Sequence, residues 1–128
     1  MKNLFVPYLI SLELKKLGYN KKGFAWYING DNLNTELLTR IYIDESDSCE
    51  APTYKEATDW LDLTFRVRVY TKPTVGGNFT YGIYVWLGGA LGWEKYTGIV
   101  EKSFNTDAEA IVYGIEQSLK MELKLLTN

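Results

Sequence analysis

Two runs of alternating apolar and polar residues, Leu63 to Val69 and Phe79 to Leu87, flank the segment Lys72-Pro73-Thr74-Val75-Gly76-Gly77-Asn78. Alternation with a period of two buries one face of a strand, and Pro, Gly and Asn in so short a connection reverse the chain. A connection of this length can join only antiparallel neighbours. A second glycine cluster, Gly88-Gly89-Ala90-Leu91-Gly92, leads into a further extended stretch from Lys95 to Phe104. Upstream, Phe24 to Ile28 alternates, Asn29-Gly30 is a hairpin turn signal, and Leu37 to Ile43 alternates again as the expected hairpin partner.

Three helical patterns frame these strands. Val6, Ile10, Leu14 and Leu17 share one helical face, with Pro7 suited to a first turn, Lys15 and Lys16 to the last, and Gly18 to the stop. Thr53 and Glu56 have the spacing of a capping box ahead of Tyr54, Ala57, Trp60 and Leu61, and Thr106 and Glu109 repeat it. The last helix carries Ala108, Ile111, Val112, Ile115, Leu119, Leu123 and Leu126, with Ile111, Ile115 and Leu119 expected in the core. Between the first strands and the second helix, Asp44 to Glu50 is acidic and small, and reads as a solvated loop closed by Pro52. The expected fold is α+β, one domain of order α-β-β-α-β-β-β-α, with a mostly antiparallel sheet packed by helices on one face.

Composition narrows the chemistry. The chain of 128 residues has no histidine, which removes the commonest general base and transition-metal ligand together with Ser–His and Cys–His catalysis. A lone cysteine, Cys49, forms no internal disulfide and anchors no structural zinc, and its acidic neighbours disfavour the thiolate. Neither a metal nor a cofactor is implied. The formal net charge of −2 gives no global field toward nucleic acid or anionic lipid, so such binding would need a local patch. Met1 to Pro7 lacks the apolar core of a signal peptide and no apolar run approaches membrane-spanning length, so the expected compartment is the cytoplasm, away from membranes.

The residues that stand out are aromatic and cationic. Ten Tyr and four Trp are many for this length, and such side chains suit surfaces that need an apolar body with a polar handle. Arg66, Arg68 and Tyr70 have the parity opposite to Phe65, Val67 and Val69, and neighbouring strands would add Arg40 and Tyr42, and Tyr84 and Trp86. These seven make the candidate binding face, able to stack bases, cradle phosphates or dock a protein. The alternative is an Arg–Tyr ladder that only keeps an exposed sheet face soluble. The glycine pairs at 76–77 and 88–89 lack the spacing of phosphate-binding loops and read as turns. Asp59 with Asp62, and Glu116 with Glu122, read as solvated helix faces.

Val6-Pro7-Tyr8 with Leu14 and Leu17-Gly18, Ala51-Pro52-Thr53-Tyr54 with Ala57 and Asp59-Trp60-Leu61, and Asp107-Ala108-Glu109-Ala110 with Ile115-Glu116 and Leu119 together resemble short proteins of phages and integrated mobile elements of gut Bacteroidales. That resemblance implies a mobile-element context and no activity, cofactor or site residue. From Thr53 onward the element order is also similar to the double-stranded-RNA-binding domain, whose last helix opens on lysines that clamp phosphates. Here that helix opens on Thr106-Asp107-Ala108-Glu109, which would repel them.

The leading expectation is a non-enzymatic protein-binding or accessory factor. A nucleic-acid-binding module using the arginine–aromatic face comes second, and an enzyme of unassigned chemistry third. With Tyr27, Tyr42, Tyr70, Tyr84 and Trp86 all expected outward, the same face predicts a partner, either a second copy in a homodimer or a different chain.

Overall fold

The computed structural model describes residues 4–35, 48–96 and 102–121, and shows an α+β protein with three helices and two antiparallel sheets among them. The chain divides into two compact units, Met1–Glu56 and Ala57–Asn128.

In the first unit, helix α1 (Tyr8–Lys16) buries Ile10, Ser11 and Leu14 and follows Val6, which is also buried. It stops as expected: Gly18 takes φ 110°, its N–H reaches Lys15 O at 3.0 Å, and Tyr19 N–H reaches Leu14 O at 2.9 Å. This left-handed closing turn satisfies carbonyls that the helix end would leave open. Strands β1 (Trp26–Ile28), β2 (Asn32–Asn34) and β3 (Ser48–Glu50) form a sheet of order β2-β1-β3. Asn29 and Gly30, both at positive φ, close the β1–β2 hairpin as their sequence suggests. The expected partner strand from Leu37 to Ile43 lies outside the described residues.

Two expectations fail in this unit. Ser48–Glu50 is a strand of the sheet, with Cys49 buried opposite Tyr27, so the tail of the acidic stretch is no solvated loop; Asp44 to Asp47 lie outside the described residues. Tyr27 does not face outward. It is 5% exposed, packs edge-on to Tyr8 with centroids 5.4 Å apart, and donates its hydroxyl proton to Val6 O at 2.7 Å. Because β1 is the central strand and is covered on both faces at Trp26 and Tyr27, alternation there does not separate inside from outside. Phe5, Ala25, Tyr27, Cys49 and Ala51 form one buried cluster.

Helix α2 (Tyr54–Phe65) begins at the expected capping box. Glu56 N–H reaches Thr53 Oγ1 at 3.2 Å, and Thr53 N–H reaches Glu56 Oε1 at 2.9 Å. It runs one turn further than the change of period suggests, so Leu63 and Phe65 are helical and not part of a strand. Ala57, Trp60, Leu61 and Phe65 are buried at helical spacing, whereas Leu63 is largely exposed. The last turn of a helix and the first residues of a strand can carry the same apolar positions, and here helical spacing prevails.

In the second unit, β4 (Val67–Pro73) pairs with β5 (Phe79–Trp86) through the glycine-rich turn, and β5 pairs along its other edge with β6 (Trp93–Lys95) and β7 (Ser103–Phe104). The second glycine cluster forms a short 3-10 turn, Gly89–Leu91, with Leu87 N–H on Gly92 O at 2.9 Å. Helix α3 (Asp107–Leu119) lies on β4 and β5. Thr106 caps it by accepting Glu109 N–H at 3.1 Å, and Thr71 of β4 hydrogen-bonds Asp107 in its first turn. Its buried positions are Ala110, Gly114, Ile115 and Ser118, so of the three residues expected in the core only Ile115 is fully buried; Ile111 and Leu119 are half-buried. The helix turns its smallest residues inward because the sheet comes close. A Cβ on Gly114 would lie 2.6 Å from Val69 Cγ1 and 3.3 Å from Tyr81 Cβ. Leu123 and Leu126 lie outside the described residues. No helix among the described residues is long and apolar enough to cross a membrane.

Candidate functional site

With α3 over one face of the second sheet, strand parity decides what the other face shows. Val67, Val69, Tyr81 and Ile83 are buried, and Tyr81 and Tyr113 of α3 meet edge to face at 5.1 Å. The alternate residues are Arg68, Tyr70 and Lys72 on β4, Thr80, Gly82, Tyr84 and Trp86 on β5, and Trp93 and Lys95 on β6, since directly paired residues share a face.

Tyr70 stands opposite Gly82, and its ring occupies the space where a side chain at 82 would begin. That close approach lets Tyr70 stack on Tyr84, with centroids 5.2 Å apart and planes 26° from parallel. Burial pushes the Tyr70 hydroxyl up, and Tyr84 beside it adds to the effect.

A denser arrangement sits at the other end of the face. Trp86 and Trp93, paired across β5 and β6, meet at 5.5 Å with planes 60° apart. From β4, the Arg68 guanidinium reaches across β5 to lie 3.8 Å from the centre of the Trp93 ring. Arg66 lies 5.0 Å from the same ring and 5.5 Å from Trp86. Cation–π contacts of this kind are worth about 0.5–1 kcal/mol each when exposed, and they fix the direction of side chains that would otherwise be mobile. Asp62, from the last turn of α2, completes the group: its Oδ2 accepts from Arg68 Nε at 3.0 Å, and its Oδ1 lies 3.8 Å from an Arg66 terminal nitrogen. Oδ1 is buried and accepts no hydrogen bond.

Arg66 is not a strand residue, contrary to the parity expected for it. It occupies the turn between α2 and β4 at φ 57°, with its N–H on Asp62 O at 3.0 Å and its own carbonyl accepting Trp86 N–H at 3.1 Å. Glycine is the usual residue for this left-handed position after a helix, and a side chain there carries a backbone cost of about 1 kcal/mol. Its guanidinium nevertheless reaches the two tryptophans.

Of the seven residues singled out from sequence, the structure thus brings Arg66, Arg68 and Trp86 into one cluster and Tyr70 and Tyr84 into an adjoining stack. Arg40 and Tyr42 lie outside the described residues. Asp62 and Trp93 were missed. Asp62 has the spacing of a solvated helix face, and its role depends on α2 ending where it does. Trp93 follows a glycine cluster and precedes the expected strand start at Lys95, but closure of that turn between Leu87 and Gly92 sets it directly opposite Trp86.

Other surfaces offer less chemistry. In the first unit a cavity of about 670 Å³ is lined by Leu4, Phe5, Phe24 and Tyr54 with Thr35, Thr53 and Lys55, walls that are mostly carbon and hold no carboxylate among the described residues. Cys49 is buried, and burial is the main cause that pushes its thiol up; Glu50 adds to this and Lys15 opposes it, so the acidic neighbours are the lesser influence. No group of three metal-ligating side chains occurs among the described residues. Comparisons with family models, with curated proteins and with solved structures give no match.

Proposed function

We propose that this protein is a non-enzymatic binding factor that docks a protein partner through the exposed face of its second sheet. The observation that carries the reading is the mutual fixing of Arg66, Arg68, Trp86, Trp93 and Asp62, which presents arginine and tryptophan in one partly exposed, pre-ordered patch. Arg, Trp and Tyr dominate the energetics of protein interfaces, and side chains already held in place lose less entropy on docking. Nucleic-acid binding is less well supported. Bases need open aromatic faces on which to stack, and here Trp93 lies beneath two guanidiniums while Tyr70 and Tyr84 stack on each other.

A partner of a different sequence fits better than a second copy. A two-fold axis through this face would bring Arg68 and its neighbours against their own equivalents, with like charges opposed. Tyr27, one of the rings whose exposure argued for self-association, is buried. An accessory role of this kind also suits the mobile-element context that we infer from the resemblance, and a cytoplasmic location would be consistent with it.

The test is affinity capture on the immobilised protein, run in parallel with Tyr84→Ala, Trp86→Ala and Arg68→Ala. Lys102→Ala, on the side facing α3, serves as the control. A partner retained by the wild type and by the control, lost from the three variants and insensitive to nuclease is the expected outcome. A set of retained proteins that is the same for all five forms would rule out this face as the docking surface.

A further inference from the structure

The outward face of the second sheet segregates charge in a way the whole chain does not. Its strand positions carry Arg68, Lys72 and Lys95 and, among the described residues, no carboxylate. Lys72 and Lys95 are exposed and make no ion pair among the described residues. This cationic stripe is found on a protein with a formal net charge of −2. Four residues of strand separate Arg68 from Lys72, or roughly 13 Å at the usual rise, a span that matches a short extended peptide.

Hydrogen-bonding capacity in the arginine–tryptophan cluster and at the lysines is one-sided as well. Asp62 takes one N–H of Arg68, and Arg66 approaches it no closer than 3.8 Å, so the terminal nitrogens of both guanidiniums keep donors with no acceptor among the described residues. Arg, Lys and the indole N–H are donors only. A face that combines donors, positive charge and aromatic edges is matched by a segment that supplies acceptors and negative charge.

We infer that the partner segment docked here is acidic, an extended stretch of glutamate or aspartate alternating with apolar residues, with one carboxylate taken by the terminal nitrogens of Arg66 and Arg68 and others by Lys95 and Lys72. This rests on the docking reading above and adds the chemistry of the partner. Phosphate of nucleic acid shares the charge but not the fit, because the arginines already cover the ring on which a base would stack. Asp62 holds the two guanidiniums beside one another and leaves a net positive charge in the cluster.

Fluorescence anisotropy with three labelled probes tests it: a short peptide alternating glutamate and leucine, its glutamine–leucine counterpart, and oligothymidylate. The glutamate peptide should bind at least about fivefold tighter than the glutamine peptide, with an advantage that shrinks as salt is added. Arg66→Gly, Arg68→Gln and Lys95→Gln should each weaken it about threefold or more, and Lys102→Gln should not. Glycine adopts the φ of Arg66 without strain, so Arg66→Gly keeps the fold while removing the guanidinium. An unfolding midpoint for each variant identifies any that is destabilised. Equal affinity for the two peptides, no binding of either, or a loss in Lys102→Gln as large as in the others would overturn the acidic assignment while leaving the capture experiment to judge the docking face. Oligothymidylate binding that is tighter than the glutamate peptide and lost in the same variants would overturn both.

Discussion

The two sheets use the same residue types to different ends. In the first unit Trp26 and Tyr27 sit on a central strand and are both buried, and the Tyr27 hydroxyl is spent on Val6 O within the fold. In the second, Trp86 and Tyr84 also sit on a central strand, but α3 covers only the opposite face, so they stay partly open and pack against arginine and a second tyrosine. Aromatic content alone says nothing about binding; what counts is whether a strand is covered on one side or two. The contrast holds at single-residue resolution along β5, where Ile83 is fully buried and the next residue, Tyr84, is 37% exposed.

That step from 83 to 84 gives the largest expected effect. Ile83→Ala leaves a cavity beneath α3 and should cost about 3 kcal/mol in urea unfolding. Tyr84→Ala gives up a stacked ring that is already wet and should cost about 1 kcal/mol. If the two cost the same, the outward face is core and the comparison fails.

Gly114 probes the covered side of the same sheet. Exposed glycines in helices gain stability on replacement, but Gly114→Val would place carbon on Val69 and Tyr81 and should destabilise by about 1–3 kcal/mol. A stabilised variant would mean that α3 stands further from β4 and β5 than the structure places it.

These positions also show what could be read in advance. Local signals were sufficient wherever the cause is local: the Thr53–Glu56 capping box, the Thr106 half of the second one, the Gly18 stop and the turns at Asn29-Gly30, Thr74–Asn78 and Gly88–Gly92 all do what their chemistry implies. Arg68, Tyr70, Tyr84 and Trp86 followed from parity because one face of the hairpin is buried, which fixes its register. Positions whose role depends on a neighbour's exact place were not legible. Asp62 matters only because α2 ends at Phe65 and turns at Arg66, Trp93 only because the connection through residues 87–92 sets it across from Trp86, and Ala110 and Gly114 face inward only because the sheet approaches closely. Tyr27 misled because a strand covered on both faces carries no alternation.

Removing a single oxygen from each sheet sharpens the comparison. Tyr27→Phe removes one of the two hydrogen bonds that Val6 O accepts, leaving the one from Ser11 Oγ at 3.0 Å, and should cost about 1 kcal/mol. Tyr84→Phe changes an exposed position and should stay within about 0.5 kcal/mol. Equal and small effects would show that the Tyr27 hydroxyl reaches water.

A further effect appears only in alkali, and it probes how tightly the first unit closes around Tyr19. Tyr19 is 5% exposed, and burial, with Glu56 and Glu50 nearby, pushes its hydroxyl up to about 12 from an ordinary value of 10.0. Between these values the unfolded chain has released the proton and the folded chain still holds it, so the folded state binds more protons and stability falls as pH rises. Below 10.0 both forms are protonated and Tyr19 contributes no slope. Tyr27, Tyr54, Tyr70 and Tyr81 are raised in the same direction, so the whole protein should lose stability through this window, and Tyr19→Phe should make that loss shallower without abolishing it. Urea midpoints collected across the window measure the slope. A slope unchanged by Tyr19→Phe would mean that the ring is wetter than its position suggests, and that the first unit is less tightly closed around Tyr19 than around Tyr27.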